Sequence, residues 1–249
     1  MPRGIERLAG VVLLVGGWQL ASSAGLLSPD TLAAPSTIST TAWHLLQAGT
    51  LQSAMSVSVR RVLTGLAIGV PLATVLALIA GLTRVGEDLI DAPVQMLRFL
   101  PIIGLEPLIV LWFGIGDAAK TSLIVFGVTF PIYINTFAAI RSLDPRHFEL
   151  ARTVGLRRLS LVRRVVLPGA LPGFLVGLRL AAAVSWLILV FAEQINATNG
   201  IGYLIVHAQQ FFQTDVIVVG LAVYALLGLA TDTLVRLLER KALAWQPRR

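Results

Sequence analysis

Three side chains in this sequence carry charge where charge is costly. Arg179 lies within an apolar run from about Leu171 to Ala192, Glu193 closes that run, and Glu106 lies within another, from about Phe99 to Ile115. Runs of this length and character read as membrane-spanning helices. An ionisable group inside such a span is a functional candidate by default. Arg179 either attracts an anion or snorkels its head group to the nearer interface. Glu193, at the far end of the same helix, either lines a mouth or is solvated there. Glu106 stands directly before Pro107, so it is either a carboxyl hydrogen-bonded at a helix break or an acid facing a basic group.

Other chemistry lacks its residues. The chain has no cysteine, which excludes disulfides and thiolate metal sites. His44, His147 and His207 lie far apart, and no H-E-x-x-H or other metal spacing occurs. No G-x-x-x-x-G-K-[ST] loop is present to cradle nucleotide phosphates. G-x-G occurs at Gly114–Gly116 and Gly200–Gly202 without continuing as a nucleotide motif, and both read as turns. An intramembrane hydrolase needs a nucleophile and a base facing each other. No Ser–His or paired-Asp arrangement is visible.

The elements that must position these groups follow from composition. Of 249 residues, 56 % are hydrophobic and 13 % charged, where a soluble domain carries about 25 % charged residues. Mean hydropathy is +0.81. The expectation is an all-α integral membrane protein built as one bundle. Six candidate spans run over about Leu8–Leu27, Val62–Leu82, Phe99–Ile115, Thr121–Ile140, Leu171–Ala192 and Val216–Leu234. The first is either an uncleaved anchor (residues 1–30) or a signal peptide with "ASSAG" as its cleavage-like site. Residues 31–61 read as an external loop with a helix near the interface, starting at Pro35. Gly169, Gly173 and Gly177 recur every four residues, which puts them on one helix face and permits close helix approach.

The net charge of +7 would suggest nucleic acid in a soluble protein. Here the basic residues fall between and after apolar runs and read as topology instead. With the N-terminus inside, Arg3, Arg7, Arg84, Arg98, the seven arginines from Arg141 to Arg164, and Arg236, Arg240, Lys241, Arg248 and Arg249 all face the cytoplasm: sixteen of twenty. Arg60, Arg61 and Lys120 fall outside. The first two are expected to snorkel at the outer interface.

The largest inside loop, Arg141 to Val166, carries apolar residues at helical spacing: Phe148, Ala151 and Val154, then Leu159, Leu161, Val162 and Val165. Gly155 separates the two runs. The pattern predicts two short amphipathic helices broken at Gly155, with Pro168 starting the next span. An apolar stripe must be buried against something, here membrane surface or another protein.

These residues resemble a known motif. Glu149, Leu150 and Ala151, Gly155 six positions after the Glu, then Val165, Leu167 and Pro168 resemble the "EAA…G…I-LP" loop of ATP-binding-cassette importer permeases. Leu150 and Val165 depart from it and keep its apolar character. "WQLASSAGLL", "QMLRFLP", "LIVLWFGIGDAAK", "FPIYINT", "LPGALPGFLVGLRL" and "GIGYLI" follow in the order seen in permeases for sulfonates, taurine and nitrate, over Trp18 to Trp245. "FPIYINT", "QTDVIVV" and "YALLG" lean toward the aliphatic sulfonate permeases.

The resemblance implies a MetI-like core (residues 62–240), cytoplasmic coupling helices in the loop 141–168, and a basic cytoplasmic tail, 241–249. It implies that Glu149, Ala151, Gly155, Leu167 and Pro168 serve docking to an ATPase dimer, which would bind ATP and Mg itself; this chain then needs no cofactor and does no chemistry on a cargo. Further partners would be an external binding protein, a second copy of the chain and the bilayer of a bacterial inner membrane. Glu106, Arg179 and Glu193 remain the pathway candidates. Glu106 departs from the family pattern, and in a sulfonate pathway it would suit an amine-bearing cargo such as taurine. A passive channel would not need the docking loop.

Overall fold

The structure, a computed structural model, describes residues 2–28 and 31–245. Arg248 and Arg249 lie outside the described residues, as do the side chains of Arg3, Arg7, Arg152 and Arg158. Every regular element among the described residues is helical. In chain order these are α1 Pro2–Ser23, α2 Pro35–Gln47 and α3 Thr50–Leu82, then α4 Arg84–Leu97 and α5 Ile102–Phe113. There follow α6 Asp117–Arg141 and α7 Pro145–Thr153, α8 Leu159–Gln194, and α9 Ile201–Gln210 and α10 Thr214–Ala242. Among the described residues α3, α6, α8 and α10 are long and apolar enough to cross a membrane, and α4 with α5 adds a fifth crossing if that bent pair is one span. Helix α1 is 22 residues long, with its described apolar stretch at Val12–Ser23.

Three expectations need correction. The span expected over Phe99–Ile115 is shorter, a helix over Ile102–Phe113. A corner of 96° separates it from α4, between Leu97 and Ile102, where Pro101 lacks an N–H to continue a helix. Gly114 at φ 78° then ends α5. The segment 31–61 is not a loop with one helix, since α3 starts at Thr50 and carries twelve polar-rich residues ahead of the apolar run at Val62. The second short helix of the arginine-rich loop is not separate either. Residues Leu159–Gln194 form one helix of 36 residues, and Pro168 lies inside it.

A π-turn precedes Pro168, the first of that helix's two prolines. Val162–Val166 is a π segment, and the Leu167 N–H reaches back five residues to the Val162 carbonyl. The widened turn takes up the strain that a proline ring imposes on the turn before it. The same device recurs in α4, where the π segment Glu87–Asp91 ends two residues before Pro93.

The chain forms two compact units: Met1–Val59 with Glu193–Leu226, and Arg60–Ala192 with Leu227–Arg249. In the second unit α6 is central. In its span 56 % of residues are buried, against 22–44 % in the other three long helices. Glycines let neighbours close on it from two directions. From α3, a Cβ at Gly65 or Gly69 would lie 2.4 Å from Ile124 or Val128. From α8, a Cβ at Gly177 would lie 2.8 Å from the Pro131 carbonyl, and one at Gly169 2.6 Å from Leu143. At Gly173 it would meet Ala139 Cβ at 2.5 Å and the Asn135 carbonyl at 2.8 Å. Neither neighbour can rotate away, so Gly173→Ala should cost about 1–3 kcal/mol by overpacking. A lowered melting temperature of the purified protein is the readout. Gly228→Ala, where a Cβ meets nothing within 4 Å, should leave it unchanged.

In the first unit α9 lies against α10, where a Cβ at Gly220 would come within 2.5 Å of Ile205. Thr41 of α2 donates to Asp215 at the start of α10 (2.6 Å), and the Ser36 N–H donates to Gln19 of α1 (3.1 Å).

Candidate functional site

The arginine-rich loop is built around α7. Asp144 opens it, with its carboxylate accepting from the Arg146 N–H at 2.9 Å and its carbonyl from the His147 N–H at 3.0 Å. Such Asx geometry starts helices. Gly155, at φ 75°, closes it: the Leu156 N–H returns to the Ala151 carbonyl at 2.9 Å, a left-handed glycine cap. The inner face of α7 is Phe148, packed on the cluster of Ile140, Val166 and Ala170, together with Ala151, only 5 % exposed. The outer face is Leu150, Val154 and, beyond the cap, Leu159, each 64–70 % exposed. The expected stripe is therefore divided. Phe148 and Ala151 anchor the helix inward, and Val154, expected on their face, joins Leu150 in an exposed apolar patch. Glu149 is exposed beside it and lines a groove of about 590 Å³ with Arg84, Arg141 and Phe148. Arg141 is held there by Glu87 at 3.3 Å. Leu167 and Pro168 are exposed at the π-turn.

Arg179 and Glu193 have partners that neither of their expectations named, while Glu106 faces a basic group as one expectation had it. Arg179 does not snorkel alone: its Nε donates to Asp232 of α10 at 2.8 Å. Arg236, one turn on, takes the other oxygen at 2.7 Å. Pairing and hydrogen bonding offset the cost of charge within a span. Glu193 neither lines a mouth nor meets solvent. It is 1 % exposed and accepts from Ser58 Oγ at 2.8 Å, the Gly202 N–H at 2.9 Å and Tyr224 Oη at 2.8 Å. Ser58 in turn accepts from the Ile201 N–H at 3.0 Å. One carboxylate thus ties α3, α8, α9 and α10 together within the first unit. Missing side chains make room for it, since a Cβ at Gly200 or Gly202 would fall 2.5 Å from Glu193 atoms.

Glu106 is also buried, at 6 % exposure, at the first turn of its helix segment. Lys120 is the basic group whose charge acts on it, and Lys120 is itself 5 % exposed. Arg60 and Arg61, expected to snorkel, share an acidic partner. Both converge on Asp117 at the start of α6, Arg60 at 2.8 Å and Arg61 Nε at 2.9 Å, and Arg61 is 3 % exposed. Among the described residues no group of three side chains could hold a metal ion.

A family model described as the binding-protein-dependent transport system inner membrane component matches residues 69–243. The chain belongs to this family. It is the membrane permease subunit of an ATP-binding-cassette importer. The permease is 47 % identical over 94 % of its length to the aliphatic sulfonates transport permease protein SsuC of Escherichia coli, covering 89 % of that protein. It is 38 % identical over 94 % to the SsuC protein of Bacillus subtilis, covering 85 % of it. It is 32 % identical over 79 % to the E. coli taurine transport system permease protein TauC, covering 71 %. Among solved structures, the permease resembles a bacterial ABC transporter involved in alginate import, with TM-score 0.68, 18 % identity and 97 % and 93 % of the two chains covered. It also resembles an amino acid ABC transporter, with TM-score 0.63, 18 % identity and 80 % and 96 % covered. At these identities the likeness is one of fold.

In the permease the two sets of predicted residues stay apart in sequence. The loop residues Glu149, Ala151 and Gly155 gather on α7 and its cap. Arg179, Glu193 and Glu106 each sit in a separate polar cluster. Sequence reasoning missed Ser58, Tyr224 and Asp117. Each is a common residue near a helix end or mid-span, and nothing in local spacing marks the buried acid or base that it holds.

Proposed function

We propose that this permease forms the membrane pathway for an aliphatic sulfonate. Identity of 47 % over 94 % of the chain with an E. coli aliphatic sulfonates transport permease carries this reading. The pathway is built by a homodimer of six-helix chains, with α1 as an N-terminal anchor and α2 external near the interface. Residues 62–240 form the transport domain, and both termini, including the tail 241–249, are cytoplasmic. Counting basic residues supports this orientation. An external binding protein delivers the anion.

The loop 141–168 couples the pathway to a separate ATPase pair, which binds ATP and Mg. Helix α7 docks with Leu150 and Val154 outward and Glu149 at the rim, Ala151 and Phe148 hold it in place, and Gly155, Leu167 and Pro168 complete the docking loop. The exposed apolar patch on a cytoplasmic helix, closed by a left-handed glycine, supports this assignment. Deleting the gene should abolish growth on alkanesulfonates as sole sulfur source and leave growth on sulfate intact. Unchanged growth on alkanesulfonates would overturn the cargo.

Taurine is the second reading, favoured by the 32 % identity to a taurine permease and by the buried Glu106. Glu106→Gln should lower taurine uptake severalfold and leave butane-1-sulfonate uptake near wild type. Equal effects on both would assign Glu106 to pairing with Lys120.

A further inference from the structure

We propose that the groove beside Arg60 is a receiving site for a singly charged oxyanion that carries an alkyl chain. The groove holds about 420 Å³, within the range of small-molecule sites, about 300–1,000 Å³. It is lined by Arg60, Arg61, the hydroxyl residues Thr64 and Ser122, and the apolar Ile68 and Phe113. Asp117 is the acid among them, so two guanidiniums face one carboxylate and leave one positive charge.

The two arginines have different parts. Arg61 is buried and gives Nε to Asp117. Its task is to hold the carboxylate. Arg60 keeps 67 % of its side chain exposed and reaches the same carboxylate through one nitrogen. A guanidinium carries five N–H donors in a fixed fork, so Arg60 can turn that fork to an incoming oxyanion while Arg61 retains Asp117. Fork recognition of a planar or trigonal oxyanion face is what arginine does well.

Geometry along α3 then selects the tail. Arg60, Thr64 and Ile68 stand at i, i+4 and i+8, on one face of the helix. An anion seated on Arg60 would lay its tail over Ile68, 51 % exposed, and against Phe113, 54 % exposed. A bare inorganic anion gains nothing from those two side chains. An alkyl chain makes dispersion contacts with them. The location adds a second argument. Of the twenty basic residues, Arg60, Arg61 and Lys120 are the ones that the proposed orientation leaves outside. Arg60 and Arg61 meet at the start of the apolar run of α3, beside Asp117, whereas Lys120 does not line the groove. Basic groups set against the topological preference have another reason to be there, and a net positive groove at the outer face supplies it.

Two sources could provide this chemistry: an alkanesulfonate in transit, which rests on the cargo reading above, or the head group of an anionic lipid. The test uses the permease–ATPase complex in nanodiscs of neutral phosphatidylcholine, titrated by calorimetry with butane-1-sulfonate and with butan-1-ol. The sulfonate should bind saturably and the alcohol should not. Arg60→Gln should weaken binding at least tenfold. So should Ile68→Trp, which fills the groove and leaves every charge in place. Both positions are exposed, so the fold should tolerate them. In discs containing phosphatidylglycerol, a lipid occupant would displace the sulfonate and be retained by the wild-type chain but not by Arg60→Gln in native mass spectrometry. Either Arg60-dependent result supports the site. Absence of both, or equal binding by wild type and both variants, overturns it. ATP-driven uptake separates this inference from the cargo reading. Sulfonate uptake without Arg60-dependent binding sinks the site and leaves the importer. Arg60-dependent lipid retention without uptake of any sulfonate sinks the cargo and leaves the site.

Discussion

Glu193→Leu is expected to destabilise the permease by about 3–5 kcal/mol, comparable to breaking a buried pair. The carboxylate receives Ser58 Oγ, the Gly202 N–H and Tyr224 Oη, all within 2.9 Å. Leucine offers none of these donors an acceptor, and each buried donor left unsatisfied costs about 1–3 kcal/mol. The loss is a large part of a typical stability of about 5–15 kcal/mol. Leucine's branch also meets a site with no slack, since Gly200 and Gly202 already approach the side chain as closely as a missing Cβ allows. Yield and melting temperature of the purified protein should both fall sharply. Glu193→Gln keeps the shape but turns one acceptor oxygen into a donor, so it should cost less, about 1–3 kcal/mol. Adding Tyr224→Phe to Glu193→Gln removes one stranded donor and should recover part of that loss in a double-mutant cycle. A leucine variant that melts with wild type would show that the cluster contributes nothing.

The same cluster shows where sequence reading stops. Apolar run lengths located α6 and the cores of α3, α8 and α10, because a bilayer imposes length and composition on any span. The cap at Gly155 was legible because a glycine between two periodic runs has few other uses. Glu193 was legible as an ionisable residue at a helix end, but its surroundings were not. Its partners lie 135, 31 and 9 residues away along the chain, and no local period connects them. Arg179 and Asp232 fail for the same reason, being 53 positions apart. The two π-turns hide differently. A proline in an apolar run predicts a break or a start, and only the backbone shows that a widened turn lets the helix continue. Pro71, Pro131 and Pro172 are passed inside continuous helices with no π segment directly before them, and at Pro101 the chain breaks.

The second large effect is expected at Gly155, and it concerns coupling rather than stability. Gly155 has φ 75°, which costs an L-residue about 1–2 kcal/mol, and a β-branched residue is worse placed there still. A Cβ at this position meets nothing within 4 Å, so the penalty is conformational and not steric. Gly155→Val should therefore move the cap out of the left-handed region and break the Leu156 N–H bond to the Ala151 carbonyl. The end of α7 would then unwind or swing, carrying the exposed Leu150 and Val154 out of register with a docking groove. Because the cap lies at the surface, the melting temperature should change little. ATP-driven uptake and co-purification of the ATPase should both fall at least tenfold. Gly155→Asn supplies the control: asparagine tolerates the left-handed region while adding a side chain of similar bulk. It should retain most of the uptake that valine loses. Equal loss in both variants would assign the effect to side-chain bulk at the interface, and no loss in either would remove Gly155 from the coupling mechanism.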